Sequence, residues 1–60
     1  QEAIDDYTTA IKINPEYALA YLNRGISKAY LSIDCCRDFK RACELGNESG
    51  CRNFKIVNCN

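Results

Sequence analysis

The sequence predicts an all-α fold of about four helices, arranged as antiparallel helix–turn–helix repeats. Three observations carry this. Apolar residues recur at helical spacing in four successive pieces. Breaks with capping chemistry separate the pieces, at Asn14-Pro15, Ser32-Ile33-Asp34 and Gly46-Asn47. The first piece also returns, altered, as the third. An offset of 32 residues aligns Ala3 with Cys35, Ile4 with Cys36, Asp6 with Asp38, Tyr7 with Phe39, Ala10 with Ala42, Ile11 with Cys43 and Ile13 with Leu45. Self-similarity at a period of roughly 20–50 residues marks a repeat architecture, whose units bury their faces against one another.

The first piece, Gln1 to Ile13, places Ala3, Ile4, Tyr7, Ala10 and Ile11 on one stripe. Asn14 then suits an N-cap, Pro15 the first helical position and Glu16 the positive end of the helix dipole. The second piece, Pro15 to about Leu31, carries Tyr17, Leu19, Tyr21, Leu22, Ile26, Ala29 and Tyr30, so it is apolar on more than one side. A helix of that kind is sandwiched between neighbours. Gly25 sits in its middle, at a cost of roughly 1 kcal/mol against alanine, and a close approach by another helix would compensate.

Ser32 or Asp34 supplies the oxygen that caps the third piece. That piece runs to Leu45 with Cys35, Cys36, Phe39, Ala42 and Cys43 along its stripe. Gly46 reads as the left-handed residue that closes it, and Asn47 as the cap of the fourth. The fourth, about Glu48 to Val57, turns Cys51, Phe54 and Val57 inward and Arg52 and Lys55 outward. Short connections imply antiparallel neighbours.

Composition narrows the function classes. A 60-residue chain is one domain at most, and it buries only about 60% of its unfolded surface. Its 47% hydrophobic content suffices for a packed core. The longest apolar run, Tyr17 to Leu22, is far short of the roughly 20 residues that span a bilayer. Eight basic and eight acidic residues cancel, which argues against nucleic acid or a membrane as partner. Arg37, Lys40 and Arg41, with Arg52 and Lys55 following, read as a solvated helix face. The chain opens at Gln1 inside a helical pattern, with no capping residue before Ala3 and no signal peptide, which reads as a cut through a longer protein.

The residues from Glu2 to Gly25 resemble the tetratricopeptide repeat (TPR), a helix–turn–helix unit of about 34 residues stacked into a superhelix. Ala3, Tyr7, Ala10 and Pro15 match the pattern of that family's second helix, and Tyr21 with Gly25 the pattern of its first. Phe39 and Ala42 keep the pattern in the next copy, which departs from it at Cys35 and Asn47. The resemblance divides the single segment 1–60 into the second helix of one repeat (1–13), a further repeat (15–45) and a C-terminal capping helix (47–58). Ala42 to Cys51 is also similar to the cysteine-rich Sel-type helical repeats of bacteria. In that family two cysteines with seven residues between them are linked across consecutive antiparallel helices, and Cys43 and Cys51 match that spacing.

Five cysteines in 60 residues are well above ordinary usage. Four readings stand open: one or two structural disulfides, five small buried thiols, zinc, or a redox-active site, the last disfavoured because adjacent Cys35 and Cys36 lie in a helix and cannot bridge without strain. Zinc fits poorly, because close paired spacings and histidine are both lacking. If Cys43 pairs with Cys51 beside the bend, a second rung fits Cys36 with Cys59 better than Cys35 with Cys59. Cys36 shares a helix face with Cys43, seven residues on. Disulfides favour a periplasmic or secreted setting.

The resemblance implies a protein-interaction scaffold that takes a peptide or protein segment in a groove lined by Leu19, Leu22, Asn23, Ile26 and Tyr30. Asn23 would bond a ligand backbone or carboxylate, and the others would hold its side chains. Alternatively Leu22 and Ile26 pack against a preceding repeat and Asn23 is merely solvated. A competing role is a disulfide-stabilised C-terminal cap of a longer array, with the polar tail Asn58-Cys59-Asn60 at its end. Its first helix would then expose Ala3, Tyr7 and Ile11 and favour self-association. Catalysis is not expected: the chain has no histidine, and Asp5 and Asp6 are adjacent on a helix and point apart. No cofactor or metal is implied.

Overall fold

The computed structural model describes residues 2–57 and 59, the side chain of Glu2 excepted; the expectations for Gln1, Asn58 and Asn60 lie outside the described residues. The described residues form four helices and no strand: α1 (Glu2–Ile13), α2 (Ala18–Tyr30), α3 (Cys36–Glu44) and α4 (Glu48–Ile56). The chain is an all-α, TPR-like helical repeat. Each helix packs on the next in sequence. Cross-helix pairs run in opposite directions along the chain (Thr8 to Arg24, Arg24 to Asp38, Cys43 to Cys51, Cys36 to Cys59), so successive helices are antiparallel.

The α1–α2 turn corrects one expectation. Asn14 does not cap α2 and Pro15 does not open it; the helix starts at Ala18, with Tyr17 at its N-cap and no side-chain cap bond. The reason is local. The Asn14 backbone N–H still bonds the Ala10 carbonyl as the last rung of α1. Asn14 Oδ1 then accepts from Glu16 N–H at 3.2 Å, and the Asn14 carbonyl accepts from Tyr17 N–H at 3.1 Å. A side chain engaged in an Asx turn, on a residue that proline disfavours from helical geometry, closes a turn rather than starting a helix.

The other two connections use one device twice. At the end of α2, Ile33 N–H reaches the Lys28 carbonyl at 2.8 Å and Ser32 N–H the Ala29 carbonyl at 3.1 Å. At the end of α3, Asn47 N–H reaches the Ala42 carbonyl and Gly46 N–H the Cys43 carbonyl, both at 2.9 Å. Both patterns are Schellman closures, which need a left-handed residue at the position after the cap. Gly46 supplies it at φ 96°, and Ser32 supplies it at φ 59° despite its Cβ. Neither Ser32 nor Asp34 caps α3: Cys35 stands at its N-cap with no side-chain cap bond, and Asp34, one residue further out, accepts from Cys36 N–H at 3.0 Å through Oδ1 as an Asx turn. Asn47 Oδ1 accepts from Gly50 N–H at 2.8 Å, so one residue ends α3 and caps α4.

Leu22, Cys35, Phe39 and Ala42 make the buried core, with Tyr21 and Phe54 against it. Phe39 is 2% exposed and Ala42 fully buried. Two glycines let the helices come this close. A Cβ on Gly25 would lie 2.7 Å from Phe39 Cε1, and one on Gly50 would lie 2.6 Å from Ala42 Cβ and 3.0 Å from the Cys43 backbone nitrogen. Gly25 therefore has the compensation its mid-helix position calls for. Along α1 the stripe is shallower than expected: Ile4, Tyr7, Ala10 and Ile11 are half-buried and Ala3 is exposed. Val57, expected inward, is 39% exposed at the C-cap of α4.

Candidate functional site

One face of α2 stands clear of both neighbouring helices. Leu19, Asn23, Ile26 and Tyr30 recur at intervals of four, three and four, which keeps them on a single stripe. Leu19 is 48% exposed, Ile26 37% and Tyr30 86%, while Asn23 is half-buried. Leu22, expected with them, is in the core instead. It lies three residues before Gly25, on the side of α2 that meets Phe39, and is 8% exposed.

Ile26 and Tyr30 continue into a cleft of about 370 Å³. Ala29 completes its α2 wall, Phe39 of α3 reaches it from the core, and Asn53 with Val57 at the far end of α4 forms the opposite wall. The lining is mostly apolar with an amide on one side, which suits an apolar side chain carried by a polar backbone. Ala29, Asn53 and Val57 escaped the sequence reading. Ala29 and Val57 read in the sequence only as apolar residues of the second and fourth pieces, and Asn53 carries no signal.

Behind this face lies a charged cluster that the sequence did not announce. Asp38 is 2% exposed yet accepts from Arg24 Nη2 at 2.7 Å and Nε at 3.0 Å, with Lys28 Nζ at 3.1 Å. Arg24 Nη1 also donates to Thr8 Oγ1 at 3.2 Å, and the Thr8 hydroxyl donates to the Ile4 carbonyl at 2.8 Å. The guanidinium sits 5.6 Å from the centre of the Tyr21 ring. The bidentate bond to Asp38 raises the Arg24 pKa above its ordinary value, against the opposing pull of burial. The cluster joins α1, α2 and α3, so it fixes how α2 presents its outer face.

The cysteines fall into two rungs and a remainder. Cys43–Cys51 closes beside the α3–α4 bend with a Cα separation of 4.5 Å, and Cys36–Cys59 closes at the far end at 5.5 Å. Cys35 is unpaired and buried. Among the described residues no group of three or more acidic, cysteine or histidine side chains is arranged to hold a metal ion.

Antiparallel helix pairs with close glycine contacts and an open face between alternate helices define a helical-repeat module. The family model for the TPR repeat matches residues 1–31, just over half of the chain, and the chain belongs to that family. No curated protein and no solved structure matches it. TPR repeats in general mediate protein–protein interactions.

Proposed function

We propose that this chain binds a peptide or protein segment in the cleft between α2 and α4, with Tyr30 and Ile26 as its apolar anchors. The observation that carries the reading is the coincidence of two things in one place. The face of α2 left free by both neighbours bears exposed leucine, isoleucine and tyrosine, and it opens into a cleft whose far wall carries the Asn53 amide. Exposed apolar side chains beside a concave site are the usual mark of an interaction surface. Asn23 and Asn53 would bond the ligand backbone, and Leu19 would extend the contact along α2.

The reading is one of binding rather than catalysis. Asp38, the buried carboxylate among the described residues, has both oxygens engaged by Arg24 and Lys28. Asp5 and Asp6 are exposed. The Cys43–Cys51 link across antiparallel α3 and α4 is the staple a bacterial Sel-type repeat would place there, and it supports reading the C-terminal half that way. Two disulfides favour a periplasmic or secreted setting. No described helix is long and apolar enough to cross a membrane.

A second reading, a structural cap of a longer array, is favoured by the concentration of both disulfides on α3 and the residues that follow it. Self-association through α1 would accompany it, with Ala3 and the 81%-exposed Ile13 at the contact. An NMR titration with peptides selected by display against the oxidised protein separates the readings. Groove binding shifts the amide signals of Ile26, Tyr30, Asn53 and Val57. Shifts confined to α1, or a selection that yields no binder, would favour the cap.

A further inference from the structure

Resting on the cleft assignment above, we propose that the Cys36–Cys59 disulfide is a redox latch: it holds the α4 wall of the cleft in place, and its reduction lets that wall go. The two rungs do different jobs. The N-terminal half of α4 is held several times over, by the Asn47 cap, by Gly50 seated on Ala42 and by Cys43–Cys51. The C-terminal half has far less. Phe54 packs on the core, but Lys55 is exposed, Ile56 is 69% exposed and Val57 39%. Beyond them the chain is fastened by Cys59, through its disulfide to Cys36 and its N–H to the Phe54 carbonyl at 3.2 Å. Val57, the outer part of the α4 lining of the cleft, sits in this weakly held stretch, while Asn53 is beside Phe54, where the hold on the core ends. A helix of nine residues is too short to persist on its own, since isolated helices below roughly 12–15 residues are marginal in water. Loss of the tether therefore frays the end that bears the cleft wall.

The chemistry is ordinary exchange with a dithiol. A reductant thiolate attacks Cys36 Sγ, the half-buried partner, rather than the buried Cys59. The Cys36–Cys59 S–S bond breaks, a mixed disulfide forms on Cys36 and Cys59 leaves as a thiolate. The second thiol of the reductant then displaces Cys36. Two electrons and two protons pass to the protein as two thiols, and the reductant becomes a disulfide.

The test compares the oxidised protein with Cys36→Ser/Cys59→Ser and with Cys43→Ser/Cys51→Ser, reading amide hydrogen exchange along α4 and at the residue-59 amide that bonds the Phe54 carbonyl. No ligand enters, so failure here is distinct from failure of the binding assignment. The latch predicts that Cys36→Ser/Cys59→Ser loses roughly tenfold or more of its protection at Lys55, Ile56, Val57 and the residue-59 amide, while Leu22 to Ile26 stay protected. Cys43→Ser/Cys51→Ser keeps that protection, and dithiothreitol added to the wild type abolishes it. Because loss of either rung also lowers global stability, the series is repeated in trimethylamine N-oxide, which favours compact states. Unchanged protection at Val57, or loss of protection throughout the chain even in the osmolyte, overturns the proposal.

Discussion

Phe39 of α3 lies so close over Gly25 of α2 that a Cβ there would come within 2.7 Å of the ring. This contact sets the α2–α3 spacing and seats Phe39 where it reaches both the core and the cleft. Two effects compete in Gly25→Ala. Helix propensity favours alanine by roughly 1 kcal/mol, while overpacking a filled core costs about 1–3 kcal/mol. Phe39 is 2% exposed, and its ring could clear the new Cβ only by turning out of the core toward the cleft, so overpacking wins. Gly25→Ala lowers the urea midpoint, and adding Phe39→Leu recovers part of the loss. A more stable Gly25→Ala would contradict the contact.

Asp38 offers a second test. Removing one partner of a buried ion pair costs about 3–5 kcal/mol. Arg24 and Lys28 keep some access to water, at 18% and 23% side-chain exposure, which puts Asp38→Asn near the low end, about 3 kcal/mol by urea unfolding. The pH dependence follows from the sign of the Arg24 shift. A group whose folded pKa is raised stabilises fully below its unfolded value and loses that contribution only as pH rises through the folded one. Because the shift is upward from an already strongly basic guanidinium, the Arg24 contribution is constant between about pH 6 and pH 8. A cost of Asp38→Asn that shrank steadily between about pH 6 and pH 8 would contradict the guanidinium pairing.

Ser32 sits in the left-handed region at φ 59°, where its Cβ is strained and glycine is not. Ser32→Gly relieves that strain but loosens the unfolded chain, for a net gain of about 0.5–1 kcal/mol. The matching change at Gly46, φ 96°, runs the other way: Gly46→Ala loses about 1 kcal/mol. Thermal unfolding of the two variants should move in opposite directions.

The cysteine pairing makes a countable prediction. Alkylation of the denatured, unreduced chain labels one thiol, Cys35, and the peptide map shows Cys36 joined to Cys59 and Cys43 to Cys51. By loop-closure entropy the rung spanning 23 residues stabilises more than the one spanning 8, about 3.4 against 2.5 kcal/mol. Three or five labelled thiols would contradict the pairing.

What the sequence made legible follows from local sterics. Glycine and small residues at fixed helical spacing admit few packings, so Ala3, Tyr7, Ala10, Tyr21 and Gly25 pointed to the repeat before any contact was known. Gly46-Asn47 gave the last turn because a left-handed residue followed by a capping amide has one economical use. Arg24 and Asp38 stayed hidden because charged residues are solvated by default, and only their positions beside Gly25 and Phe39 hinted at burial. The start of α2 was misplaced because Asn14-Pro15 fits a helix cap and an Asx turn equally well. For the outer face of α2, Leu19, Asn23, Ile26 and Tyr30 follow only from what the TPR resemblance implies about a groove; Leu22 belongs to the core. The α4 wall of the cleft was not readable, since Asn53 and Val57 meet α2 only after two helical turns of direction have been fixed.

The account stands most directly on Tyr30. It is 86% exposed, so Tyr30→Ala leaves the fold's helicity and urea midpoint nearly unchanged. Isothermal titration of a display-selected peptide against the wild type and Tyr30→Ala is therefore a clean reading of the cleft. Loss of an aromatic anchor costs about 2 kcal/mol or more, and the predicted result is an affinity roughly thirtyfold weaker with circular dichroism intact. Equal affinity for the two proteins would contradict the assignment of the cleft as the binding site.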